Sequence, residues 1–352
     1  MPADFCAYSY FPFRARIPES AKSIDQTNTQ ILQQQYAPNS GPVSKFGGEI
    51  GTIDTTGIKP SGPNTGNSNY PVYTSSTSDP SVSVDCGKAS YGCSDTSGNA
   101  INSIPAFHIP AFARPSNSGD FNMEIIQPNG DTVLIYQCVP TRDWQTGDVV
   151  GDSNCTGSFD GAAYGSIVNS PGINPGNING GDNFAALPVH YNEVVNGQIN
   201  HALLVWSGCF TGNVYPGTSA AACKSPPGLP DGVHIWLSLT RAQIDAQPAS
   251  VIPPYMRVFA YAAHEYGIYS FDTGNGDKWF SQPALEDALP AILSGGMTQS
   301  YWTNWFNTNG GGLAGDDDLK LGNTIDWSAL AQYLFVLDAC YGKGTCSDSI
   351  LE

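Results

Sequence analysis

The chain has 352 residues, with 14 Lys and Arg against 31 Asp and Glu, a formal charge of -17, 39 Gly, 26 Pro and only 13% charged residues. Such an acidic surface repels phosphate backbones and anionic headgroups, so nucleic acid and membranes are poor partners, and no apolar run reaches the ~20 residues of a membrane helix. Abundant Asn, Ser, Thr and Gly, with 17 Tyr and 7 Trp, suit neutral, hydroxyl-rich ligands, because polar groups satisfy hydroxyls while aromatic faces stack on sugar rings.

In chain order, "SAKSIDQTNTQILQQQY" spaces Ile24, Ile31 and Leu32 as a helix does and predicts a short helix or an arm. From about Thr52 to Asn102 the chain is rich in Gly, Ser, Thr, Pro and Asn without sustained period. It predicts ordered loops and short edge strands, so residues 1–103 are expected to wrap a core formed by residues 104–352. "FNMEIIQP", an Asn-Gly turn and "TVLIYQCVP" predict a β-hairpin. "QINHALLVW" and "GVHIWLSLT" predict two further strands around a long loop, Cys209 to Asp231. "PPYMRVFAYAAHEYG" predicts the one convincing helix: Pro253 and Pro254 open it, Tyr255, Met256, Phe259, Ala263 and Tyr266 share a face, and Gly267 closes it. A strand "IYSFD" follows, and "DWSALAQYLFVLDACYG" predicts a turn or helix leading into a last strand. Short strands, turn-rich loops and one notable helix predict an all-β fold, an antiparallel β-sandwich of jelly-roll type.

Nine cysteines point to an oxidising compartment, and their spacing suggests local staples: Cys86 with Cys93, Cys138 with Cys155, Cys209 with Cys223, and Cys340 with Cys346, leaving Cys6 over. The expectation is a secreted protein, although the opening "MPADFCAYSY" has no signal-peptide pattern. No GxGxxG opens a helix, there is no GxxxxGK[ST] or GxSxG, and "HEYGI" lacks the second histidine of HExxH. Those absences argue against nucleotide-dependent, serine-hydrolase and zincin chemistry.

In "GVHIWLSLT", Val233, Ile235, Leu237 and Leu239 alternate onto one face, with His234, Trp236 and Ser238 on the other. On a concave sheet His234 and Trp236 would line a glycan groove; the alternative packs Trp236 beneath the stapled loop. Glu193 sits in the turn before "NHALLVW", which His201 opens, while Asp120 precedes the first hairpin strand and Glu124 lies on it. Two carboxylates with a histidine suffice for acid/base work on a glycosidic bond. In "SFDTGNGDKWF", Asp272, Asn275 and Asp277 offer oxygen ligands beside Trp279, as does Asp316-Asp317-Asp318, but neither has EF-hand spacing. No cofactor is therefore expected, and calcium rests on charge alone.

"VHYNEVVNGQINHALLVW", "PPGLPDGVHIWLSL" and "AYAAHEYGIYSFDTGNGDKWF" together resemble a widespread family of exported, mostly uncharacterised bacterial proteins with a Gly-x-Ile-x-His-Ala-Leu motif. The resemblance covers about Ile104 to Asp338 and implies a jelly-roll or lectin-like sandwich in secreted, cell-surface or polymer-degrading settings. The leading expectation is a glycoside hydrolase on a neutral polysaccharide. Asp120, Glu193 and Asp272 are its carboxylates, His201 its orienting or proton-shuttling group, and Trp236 and Trp279 its stacking residues. A non-catalytic carbohydrate-binding or cell-surface protein is the alternative. A polysaccharide lyase is the second, but it demands cations to neutralise a uronate; of those in the core, Arg114, Arg142, Arg241 and Arg257 are the arginines.

Overall fold

The computed structural model describes residues 13–18, 23–36, 50–51, 72–85, 93–94, 100–101, 103–110, 113, 123–128, 131–136, 161–166, 189, 191–207, 210–215, 217, 228–273, 305, 308–309, 313–314, 318–321 and 325–343. Within them the order is α1 (Gln26–Tyr36), β1 (Ile50–Gly51), β2 (Val72–Thr74), β3 (Ser81–Asp85), β4 (Cys93–Ser94), β5 (Ala100–Ile101), β6 (Ser103–His108), β7 (Met123–Ile126), β8 (Asp131–Tyr136) and β9 (Gly161–Ser166). There follow α2 (Tyr191–Val195), β10 (Leu203–Ser207), β11 (Phe210–Asn213), β12 (Leu229–Asp231), β13 (Val233–Leu237), α3 (Arg241–Asp245), α4 (Arg257–Glu265) and β14 (Ile268–Thr273). The last are β15 (Leu313–Ala314), β16 (Asp318–Leu321), α5 (Trp327–Leu330), β17 (Leu334–Val336) and α6 (Ala339–Lys343).

The sheet that positions the candidate site has the order β10-β14-β13-β17. β10 runs parallel to β14, with Leu203 opposite Ile268, whereas β13 is antiparallel to both β14 and β17, with Ile235 opposite Ile268 and Val336. Parallel neighbours cannot be joined by a tight turn; here β11, β12, β13, α3 and α4 intervene between them. Every residue of β13 is buried. Val233, Ile235 and Leu237 share a core with Val258, Phe259 and Ala263 of α4 and Leu32 of α1. Trp236, which alternation places on the other face, packs with Ile17, Leu337 and Tyr341.

These features overturn the antiparallel jelly-roll expectation: no all-β sandwich is evident among the described residues. The sheet is mixed, and helices share its core. Alternation in "VHIWL" suggested one buried and one open face, yet a strand covered on both sides can carry polar atoms wherever backbone carbonyls receive them.

Local chemistry explains the elements around this sheet. Asp25 caps α1 by accepting from the Asn28 backbone N–H at 2.9 Å. Buried Thr29 accepts the Val336 N–H at 2.8 Å, and the Asp25 N–H donates to the Val336 carbonyl at 2.9 Å. The start of α1 thus satisfies backbone groups of edge strand β17, which would otherwise be open to pairing. α4 starts after a 3-10 turn at Pro254–Met256, and the apolar face foreseen for it, Tyr255, Met256, Phe259, Ala263 and Tyr266, is buried. α3, which the sequence reading left out, is fixed by a capping box between Thr240 and Gln243.

A second sheet has the order β2-β7-β8-β9-β4-β5. Its β7 and β8 are the hairpin expected around the Asn-Gly turn, with Met123 opposite Ile135 and Ile126 opposite Thr132. β2 joins β7 and β4 joins β9 in parallel, while β3 pairs antiparallel with β6. Strands from the segment read as wrapping therefore share sheets with strands that follow it.

Candidate functional site

Glu193 belongs to α2, a single turn that closes by donating Asn196 N–H to the Asn192 carbonyl and Gln198 N–H to the Glu193 carbonyl. The chain reverses through Gly197, at φ 72°, and returns to bring His201 against the same turn. His201 Nε2 lies 3.1 Å from Glu193 Oε2, and Nδ1 lies 2.8 Å from the Ala202 carbonyl. Each ring nitrogen thus faces an oxygen atom, and Nδ1, opposite a backbone carbonyl, donates. The imidazole is 2% exposed and the Glu193 side chain 16%, which places a carboxylate at the surface on a buried, oriented support. Exposed Asn196, Gln198 and Asn200 border it.

Asn200, next to His201 in the chain, belongs to a polar strip. Its Oδ1 accepts from Gln198 Nε2 at 2.7 Å and from the Tyr266 hydroxyl at 3.5 Å. Tyr266 in turn accepts from Arg16 Nε at 3.2 Å. Arg16 and Arg241 both bind the Glu265 carboxylate. Residues 13–18 are held there by backbone bonds, Ile17 N–H to the Glu265 carbonyl and Ala202 N–H to the Phe13 carbonyl, each 2.7 Å. The sequence reading missed Arg16, Asn200, Glu265 and Tyr266 as a group, because Arg16 and Tyr266 lie 250 residues apart; no local spacing signals the contact.

His234 and Trp236 were expected to line a groove. They are 6% exposed each, and their polar atoms close the end of α4 instead. The Trp236 indole donates to the His264 carbonyl at 2.9 Å and His234 Nε2 donates to the Tyr266 carbonyl at 2.8 Å. With Ile17 N–H on Glu265, three consecutive carbonyls of a helix end gain donors from outside the helix, as orphaned terminal groups require. His234 Nδ1 accepts from the Tyr269 hydroxyl at 3.2 Å, and the two rings stack at 4.2 Å. Burial pulls the His234 pKa down to about 4 against the opposing Tyr266 hydrogen bond, and burial pushes the Tyr269 phenol well above its usual value. Both rings are therefore neutral supports of the fold.

For the remaining expected residues no side chain is described. Asp120 and Trp279 lie outside the described residues; Glu124 and Asp272 are placed by backbone only, in β7 and β14. Asn275, Asp277, Asp316 and Asp317 also lie outside, while Asp318 begins β16. Among the described residues no group of His, Cys, Asp and Glu could hold a metal ion, and no helix is long and apolar enough to cross a membrane. Cys340 is disulfide-bonded. Cys93 contributes backbone to β4, and Cys6, Cys86, Cys138, Cys155, Cys209, Cys223 and Cys346 lie outside the described residues. No family model, curated protein or solved structure matches the chain.

Proposed function

We propose that this chain is a glycan-active protein that cleaves a glycosidic bond at the Glu193–His201 pair. The observation that carries the reading is the 3.1 Å contact between a buried imidazole and a partly exposed carboxylate. A ring held by the Ala202 carbonyl orients the Glu193 carboxyl it faces, and an oriented carboxyl fills the role of acid, base or nucleophile in glycoside cleavage. Bordering amides of Asn196, Gln198 and Asn200 supply the neutral donors and acceptors that sugar hydroxyls need. The acidic, aromatic-rich composition agrees with such a ligand.

A lyase on the same site is the second reading, favoured by the Tyr266 hydroxyl, which bonds Asn200 and accepts from Arg16. The sequence alone had offered no cation there. A reducing-sugar and unsaturated-uronate screen of the protein and its Glu193→Gln variant tests both. Hydrolysis predicts reducing ends without uronate absorbance, lost by about 10²-fold or more in the variant, in the range of general acid–base contributions. Full activity of the variant removes Glu193 from the mechanism. Binding without turnover by the unmodified chain would instead make it a non-catalytic binding protein.

A further inference from the structure

Outside the pair the described residues include the buried His234–Tyr269 stack, the strand end at Asp231, the disulfide at Cys340 and the arginine strip on Glu265. Of these four, the strip combines exposure with chemistry aimed at a ligand class. We propose that Arg16 and Arg241 form a recognition site for an oxyanion substituent of the glycan, the carboxylate of a uronic acid; the proposal rests on the glycan reading and names the substrate class for the same site.

Exposure differs sharply within the cluster. The two guanidiniums are 60% and 50% exposed, whereas the Glu265 side chain they share is 15% exposed. Among the described residues of this cluster the more exposed groups are therefore the guanidiniums, on a chain whose net charge is -17. Both cations are also held against aromatic rings, Arg241 at 4.5 Å over Tyr261 and Arg16 at 5.7 Å over Tyr266. A stacked guanidinium loses less freedom when it binds, and its planar fork matches a carboxylate.

Further along, Tyr261 bonds to Asp245, and Arg257 pairs with the same carboxylate at 3.9 Å, so that end of the strip is compensated. The Arg16 end is the one that reaches Asn200, next to His201 in the chain, through Tyr266.

The test is calorimetric titration of the full chain with an oligogalacturonate, a sulfated galactan oligomer and a neutral galactan oligomer, at low and at high salt. The uronate oligomer is expected to bind at least ten-fold more tightly than the neutral one and to weaken with salt. Arg16→Gln and Arg241→Gln should each weaken it at least ten-fold, with circular dichroism at the assay temperature showing each variant folded, while Arg16→Lys and Arg241→Lys, which keep the charge, should lose less. Tighter binding of the sulfated oligomer keeps the oxyanion site and changes its source to sulfate. Equal binding of the neutral oligomer, or no uronate binding by the unmodified chain, overturns the proposal. If the arginine variants bind uronate like the parent while Glu193→Gln loses turnover, the anion site falls and the cleavage reading stands. Loss of uronate binding in those variants with no glycan cleaved by the parent gives the converse.

Discussion

Two glycines with similar backbone angles separate conformational strain from packing. Gly197 follows α2 at φ 72° and Gly267 follows α4 at φ 82°, both in the region that disfavours a side chain. A Cβ on Gly197 would meet nothing within 4 Å; on Gly267 it would fall 2.2 Å from His234 Nε2, 2.6 Å from His234 Cδ2 and 2.8 Å from the Ile235 carbonyl oxygen. Gly197→Ala should therefore cost only the left-handed strain of roughly 1–2 kcal/mol, less about 0.5 kcal/mol for the stiffer unfolded chain. Gly267→Ala carries that strain and also drives His234 off the Tyr266 carbonyl, leaving two buried polar groups short of a partner at about 1–3 kcal/mol. The rigid Ile235 backbone adds roughly 1 kcal/mol or more of overpacking. The expected costs are about 1 kcal/mol for Gly197→Ala and about 4 kcal/mol for Gly267→Ala, the second a large share of the roughly 5–15 kcal/mol that holds a typical fold. Urea unfolding followed by tryptophan fluorescence reads both midpoints in one buffer. Costs equal to within about 1 kcal/mol, a margin below the packing term, would refute the packing of His234 against the α4–β14 turn.

The other predictions concern the same buried supports. His234 takes up its proton near pH 6.5 when unfolded and near pH 4 when folded, so its contribution is complete above pH 6.5 and declines as pH falls toward 4. The loss is about 3 kcal/mol over that window; unfolding midpoints at pH 7, 5.5 and 4 check it, and His234→Gln should flatten the slope. Trp236→Phe leaves the His264 carbonyl without its donor and should cost about 1–3 kcal/mol in the same assay, while glycan binding stays unchanged; a selective loss of binding would restore Trp236 as a stacking residue.

Where neighbours in sequence are neighbours in space, the amino-acid order was enough. The Asn-Gly pair between two alternating runs marked the hairpin of β7 and β8, because strands close in sequence pair antiparallel across a short connection, here with Ile126 opposite Thr132. Pro253 and Pro254 at one end and Gly267 at the other marked α4, since proline suits a helix start and glycine relieves the backbone past its end. Glu193 and His201, eight residues apart, stand out in the sequence by residue type, a carboxylate in the turn before a strand and a histidine at its start; that the two side chains meet came from the structure.

Tertiary structure decided what depends on partners far along the chain. "VHIWL" reads as a strand with one polar face, but only the fold supplies the carbonyls of His264 and Tyr266 that let His234 and Trp236 be buried there. The parallel pairing of β10 with β14 was equally invisible, since a strand's own sequence does not say which way its neighbour runs. Arg16 reaches Tyr266 and Glu265 across about 250 residues of chain, and no periodicity encodes such a contact. Local pattern determines elements because backbone hydrogen bonds and turn angles are local; which side chains meet is settled by the packing of distant segments, and a binding surface is made of such meetings.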